Sequence, residues 1–186
     1  MNNFKESKKK LKISGFTLVE TLVAISILSL SIIATFAAVQ NGIKSSTVAK
    51  DQTIAFYLAQ EGMEFIKNIR DENALHSING VSTNWLASMS SLASDPCYFG
   101  KTCTVDSGLK IMTTCSEPFG TCPVLNQDPA TGLYGYTSSW TPTNFRRDLQ
   151  FIQVSADEIT VHMYIYWASR GTTKSLEIVQ SFFNRQ

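Results

Sequence analysis

The chain has 186 residues, of which 44% are hydrophobic and 17% charged, with a net charge of +1. That length suits one sizeable domain with an appendage better than two independent cores. No acidic or basic block is large enough to recruit nucleic acid by bulk charge, so direct DNA binding gains no support.

The charge is unevenly placed along the chain. Lys5, Lys8, Lys9, Lys10 and Lys12 crowd the first twelve residues, opposed only by Glu6. If residues 1–15 are removed, five of the 16 basic and one of the 15 acidic residues go with them, leaving 11 against 14, a net of −3.

Directly after these lysines, FTLVETLVAISILSLSIIATFAAV runs from Phe16 to Val39, 24 residues with Glu20 as the single charge. As a helix rising ~1.5 Å per residue it reaches about 36 Å, enough to cross a hydrocarbon core of about 30 Å with some tilt. The preceding lysines put the N-terminus on the cytoplasmic side and everything after residue 40 outside. A secretory signal has an apolar stretch of only about 7–15 residues, so this run is too long for one, and an uncleaved anchor is the plain alternative. A carboxylate in a span costs about 2.5–3.5 kcal/mol if central and less near an end. Glu20 lies one turn from Phe16, where it can also favour the positive end of the helix dipole.

At this point a family resemblance becomes specific. KISGFTLVETLVAISILSLSI resembles the N-terminal signature of type IV prepilins and pseudopilins, which carry a basic leader ending in Gly, then Phe, then an acid at the fifth mature position. Here these are Lys8 to Lys12, Gly15-Phe16 and Glu20. The resemblance implies that a separate membrane-embedded aspartyl prepilin peptidase cleaves between Gly15 and Phe16 and N-methylates Phe16. It also implies that the helix then assembles with other pilin subunits. The chemistry fits: glycine can lie extended in a protease cleft, and cleavage creates an amine with a pKa of about 7.7–8.0. Glu20 can pair with that amine on a neighbouring subunit, where unpaired charge is costly.

Beyond the span, Ile54, Leu58, Gly62, Phe65 and Ile69 recur at spacings of three and four, with Gln60, Glu64, Lys67 and Asp71 on another face. This is the pattern of an amphipathic helix. No proline interrupts Phe16 to Arg70, so one helix about 50 residues long is expected, loosened or curved near Gly42. Many major pilins carry a proline in mid-span, and its absence favours a minor subunit.

Residues 71–96 are rich in Ser and Asn and read as a loop with a short helix around Trp85 to Leu92. The four cysteines, Cys97, Cys103, Cys115 and Cys122, follow close together. They lack the tight Cys-x-x-Cys pairs or neighbouring histidines of zinc sites, so disulfides in an oxidising compartment are expected. Four cysteines allow three pairings. The local ones, Cys97 with Cys103 and Cys115 with Cys122, close short loops at small entropic cost. Between them, pieces around Tyr98 to Val105 and Leu109 to Thr114 suggest a hairpin turning at Asp106-Ser107-Gly108.

Further on, Ile159, Val161, Met163, Ile165 and Trp167 alternate with Thr160, His162, Tyr164 and Tyr166, the period of a half-buried strand. Leu149 to Val154 precedes it across a turn at Ala156-Asp157-Glu158, and Leu176 to Phe183 follows across Ser169-Arg170-Gly171. Three antiparallel strands packed on the second half of the helix give an α+β class. YLAQEGMEFIKNIRDEN, Gly132-Leu133-Tyr134, Thr143-Asn144-Phe145-Arg146 and the closing meander resemble minor pilin or pseudopilin heads.

The resulting division is a basic leader over 1–15, a membrane and assembly half over 16–39, an amphipathic half over 40–70 and an extracytoplasmic head over 71–186. No catalytic constellation emerges. His76 and His162 lack triad partners at telling spacings. Asp128, with Asn126 before it and Gly132 after it, makes an incomplete calcium loop and equally a turn near Pro129. Tyr134, Tyr136 and Trp140 read as packing residues. No cofactor or metal is expected; the expected partners are the prepilin peptidase, other pilin subunits with their assembly machinery, and membrane lipid before assembly.

Overall fold

The computed structural model describes residues 15–116, 118–169 and 171–184, so the leader lysines lie outside the described residues. Its compact units meet between Ser46 and Thr47.

Helix α1 spans Leu18–Ile78. In the unit ending at Ser46 its apolar side chains point to all sides and are exposed, including Leu22, Leu28, Ile33 and Val39. A helix apolar on every face is stable where its surroundings are apolar. Three hydroxyls in this stretch bond back to the preceding turn: Ser26 Oγ donates to Leu22 O at 2.8 Å, Ser31 Oγ to Ile27 O at 2.9 Å, and the Thr35 hydroxyl to Ser31 O. Such bonds lower the cost of a hydroxyl in apolar surroundings. The helix is long and apolar enough to cross a membrane.

From Thr47 onward α1 is amphipathic, burying Ala55, Leu58, Ala59, Gly62, Met63, Phe65 and Ile66. Ile54 and Ile69 pack at the margin of the same core. The helix continues eight residues past the expected end at Arg70. Its stop is a glycine-terminated cap, with Val81 N donating to His76 O and Gly80 N to Ser77 O, both at 3.0 Å, and Gly80 at φ 85°. A left-handed residue there satisfies the last carbonyls, and glycine adopts it without steric cost. The buried Asn73 then fixes the following loop, its amide donating to Trp85 O and Ala87 O. That loop buries Trp85, Leu86 and Met89 as a series of turns in place of the expected short helix. Ser88, at φ 65°, breaks the helical path in the middle of it.

The sheet is antiparallel and seven-stranded: β1 (Thr102–Asp106), β2 (Ile111–Thr114), β3 (Val124–Gln127), β4 (Tyr134–Gly135), β5 (Thr141–Gln153), β6 (Glu158–Ser169) and β7 (Thr172–Phe183). Central β5 pairs with β6 along one edge; on the other it meets β3 and then β1, with β2 and β4 beyond them. The expected β1–β2 hairpin is present, though β1 starts at Thr102 and the turn is longer, with Asp106 Oδ1 accepting Leu109 N–H at 2.9 Å. The C-terminal meander also forms, with all five predicted inward residues of β6 buried. Strand β5 begins at Thr141 where Leu149 was expected, and β3 and β4 are additional.

Helix and sheet meet face to face through Gly62. A Cβ there would lie 2.7 Å from Met163 Sδ and Cε and 3.3 Å from Arg147 Cδ, so a side chain at 62 would force the Met163 thioether end to move and press on the arginine stem. Arg147, on the inward face of β5 between Phe145 and Leu149, is fully buried. Its Nη1 donates to Leu58 O at 2.9 Å and its Nη2 to Val105 O at 2.5 Å, tying α1, β5 and β1 together. Glu61 Oε2 lies 3.7 Å from Nη1, and the Ser107 hydroxyl donates to Glu61 Oε1.

Two substitutions test this contact through urea unfolding of the oxidised full-length chain in detergent, followed by tryptophan fluorescence. Arg147→Ala should lower stability by about 3 kcal/mol, because it empties a packed site and strips a donor from a buried carbonyl. Gly62→Leu should cost at least ~1–3 kcal/mol by overpacking. Unchanged midpoints in both would show that the helix does not depend on this contact.

Candidate processing and assembly site

Gly15, Phe16 and Thr17 precede the helix in non-helical conformation. Thr17 is its N-cap: Thr17 Oγ1 accepts Glu20 N–H at 3.3 Å while Thr17 O accepts Thr21 N–H at 3.2 Å. Thr-x-x-Glu is the sequence of a capping box, and the hydroxyl satisfies one of the first-turn donors that a helix leaves open. The bond between Gly15 and Phe16 therefore lies just outside the rigid helix, in chain free to lie extended. A Cβ on Gly15 would meet nothing within 4 Å among the described residues. Packing among the described residues makes no demand for glycine there. Phe16 is 77% exposed, and the Glu20 carboxylate, in the first turn, has no bonding partner among the described residues.

Residues 10–36 match the family model described as the prokaryotic N-terminal methylation motif. This chain carries the prepilin signature of type IV pilins and pseudopilins. The matched segment contains Gly15, Phe16, Thr17 and Glu20 together with most of the apolar run. No curated protein and no solved structure gives a significant match. Motif and apolar helix fit a single-pass membrane-anchored pilin, and the long helix on an antiparallel sheet is consistent with the α+β type IV pilin fold.

In the pilin-like head, the cysteines form the two local bridges, Cys97–Cys103 and Cys115–Cys122. The second bridge closes a loop that two neighbouring outward side chains of β5 hold down. Asp148 Oδ2 accepts Gly120 N–H at 2.6 Å, and Arg146 Nη1 donates to Cys122 O at 2.5 Å. Phe119, at the loop's tip, rests on Tyr164 with ring centroids 4.8 Å apart. Asp148 is fully buried beneath this loop. Burial pushes its carboxyl up from the ordinary value, and the loop's peptide N–H groups pull it partly back. Nothing in the hydrophobic pattern announced these roles, because Arg146, Arg147 and Asp148 precede the expected start of the strand at Leu149.

The remaining sequence candidates are placed plainly. Asp128 holds its own turn, Oδ1 accepting Ala130 N–H at 3.0 Å and Oδ2 the Thr131 hydroxyl at 2.6 Å. These bonds lower its carboxyl below the usual value. His162 sits on the outer face, Nδ1 at 2.8 Å from Glu177 Oε1. Bonds from Tyr164 and then His162 lower the Glu177 carboxyl, and the same Glu177 contact pushes the Tyr164 phenol up to about 12. Tyr134 packs edge-on to Phe145, and the Tyr136 hydroxyl meets Thr104 Oγ1 at 2.6 Å. His76 is exposed in the last turn of α1.

Glu61 gives a pH test of the helix contact. Burial raises its carboxyl above the ordinary 4.5, Arg147 pulls it down less, and Asp106 adds to the rise. A raised folded-state pKa means the folded chain binds the proton more tightly. Its contribution to stability is full below about 4.5 and is lost as pH rises through the higher folded value. The stability of wild type relative to Glu61→Gln should therefore fall as pH rises from 4.5. Paired urea titrations across that range would expose the opposite slope if the Arg147 attraction dominated.

Proposed function

We propose that this chain is a structural, minor subunit of a type IV pilus or type II secretion-like pseudopilus. The motif match over residues 10–36 carries the coarser reading of a pilin-like or pseudopilin subunit. The unbroken span supports the minor role: none of the 24 residues from Phe16 to Val39 is a proline. Residues 1–15 form the leader, 16–39 the membrane and assembly segment, 40–70 the amphipathic part of the helix and 71–186 the head. The leader lies in the cytoplasm and the head outside, where disulfides persist.

The chemistry runs in sequence. A prepilin peptidase cuts between Gly15 and Phe16 and methylates the new amine of Phe16. The non-helical pair before the Thr17 cap presents the bond, and the open surroundings of Gly15 among the described residues support a requirement for glycine that comes from the peptidase. The amine stands at the positive end of a helix, where a cation is disfavoured. A neighbouring Glu20 carboxylate offsets that, and each charge neutralises the other in apolar surroundings. Assembly then stacks the apolar helices, with extraction and addition driven by separate machinery.

Processing is tested by intact-mass analysis of protein from its host, which should show loss of residues 1–15 and one added methyl group. A mature chain still beginning at Met1 or Asn2 would leave a permanent anchor and remove the pilin reading. The pairing step is tested by Glu20→Gln. Cleavage, membrane insertion and head folding should persist, while the amount in sheared filaments drops at least tenfold. Filament levels equal to wild type would reduce Glu20 to an interfacial bystander.

A further inference from the structure

A cleft of about 460 Å³ opens on the outer face of the sheet, beside the Cys115–Cys122 loop and at the β6–β7 end. That volume lies within the range of small-molecule sites, about 300–1,000 Å³. Its walls are built by the latch described above. Phe119 and Gly120 come from the loop, Arg146 and Asn144 from β5, and Tyr166 from β6.

Three aromatic residues line it, Phe119, Tyr166 and Trp167. Tyr166 stacks on Tyr164 at 6.1 Å with 13° between the rings, and Tyr164 in turn carries Phe119. Phe119 is tilted 50° to Tyr164, and the two outer rings, Tyr166 and Phe119, reach the cleft. Arg146 and Tyr166 are directly opposed across β5 and β6 and therefore project from the same face. One Arg146 nitrogen is occupied by Cys122 O, and a guanidinium has five N–H donors in a planar fork. Asp148, whose charge Arg146 favours, is fully buried under the loop and bonded to Gly120 N–H, whereas Arg146 is only half-buried. Asn144 Nδ2 is held by Ala168 O at 3.0 Å, which orients its amide at the rim.

A ring-faced wall beside a fixed guanidinium and an amide matches a ligand with an apolar C–H face, a rim of hydroxyls and a carboxylate. We propose that this cleft binds a saccharide bearing uronic-acid units, with Tyr166 and Phe119 stacking on a sugar ring and Arg146 taking its carboxylate. The planar fork of arginine suits a carboxylate in two-point contact. The Cys115–Cys122 bridge is part of the site, because it holds Phe119 and Gly120 in the wall.

The test uses the oxidised full-length chain in detergent, titrated with trigalacturonate and separately with maltotriose, with binding read by isothermal calorimetry and by saturation-transfer NMR. Trigalacturonate should bind saturably, at least tenfold more tightly than maltotriose, with transfer to its ring protons. Phe119→Ala and Tyr166→Ala should each weaken binding at least tenfold, while near-ultraviolet circular dichroism confirms the fold. Tyr166→Phe, which keeps the ring, should retain binding within about threefold. Absence of saturation by trigalacturonate would overturn the proposal, as would full affinity in both alanine variants. Equal affinity for maltotriose would overturn the acidic assignment. None of these outcomes depends on leader cleavage or filament assembly, so the binding reading and the pilin reading fail separately.

Discussion

The buried guanidinium of Arg147 is the constraint around which the head is arranged. A helix and a sheet can bury apolar faces against each other in many registers, because apolar contact is not directional. Arg147 removes that freedom by bonding one helix carbonyl, Leu58 O, and one strand carbonyl, Val105 O. Gly62 lies one turn beyond Leu58, and the arginine stem passes 3.3 Å from where its Cβ would be. The polar group and the missing side chain therefore specify the same close approach. Burying a charge is unfavourable unless its donors are used; here two carbonyls and the Glu61 carboxylate engage the two terminal nitrogens, while Nε is buried without a hydrogen-bond partner among the described residues. Its gain is in a defined geometry more than in net stability.

From that fixed contact the rest of the head follows along β5. Inward residues Phe145, Leu149 and Phe151 fill the core beside Arg147. Outward residues Arg146 and Asp148 hold the second disulfide loop. One strand thus organises both faces of the sheet with an Arg-Arg-Asp run, alternating sides as strand geometry requires. The bridges add covalent restraint where regular structure is sparse. Cys97–Cys103 ties the loop after α1 to β1, and Cys115–Cys122 closes the loop that follows β2.

Legibility in the sequence tracked how local each cause is. The apolar run and the β6 alternation are short-range patterns, and each maps directly onto an element of structure. The end of α1 was equally local, since Asn79-Gly80 is a stop signal, but the Ser and Asn content of residues 71–96 hid it. The start of β5 was hidden for another reason. TPTNFRRD reads as a polar loop because two of its charges are satisfied only by partners distant in sequence, Arg147 by Leu58 O and Asp148 by Gly120 N–H. Strands β3 and β4, of four and two residues, are too short to show a period at all. The local disulfide pairing followed loop length, and the structure has that pairing.

The two ends of α1 are capped by different chemistry, and the difference fits what each end must do. At Gly80 the chain turns back under a left-handed glycine and the loop is immediately pinned by Asn73, so the C-terminal end is locked into the head. At Thr17 a single hydroxyl closes the helix, Phe16 before it is exposed, and a Cβ on Gly15 would meet nothing within 4 Å among the described residues. On the proposed reading, a segment that enters a protease and then presents its new amine to another subunit cannot be tied down by its own fold. It also cannot be frayed, because bare N–H groups in hydrocarbon cost several kcal/mol each. A threonine cap meets both demands: it satisfies a donor with an atom of the helix itself and leaves Gly15, Phe16 and the Glu20 carboxylate to be engaged from outside.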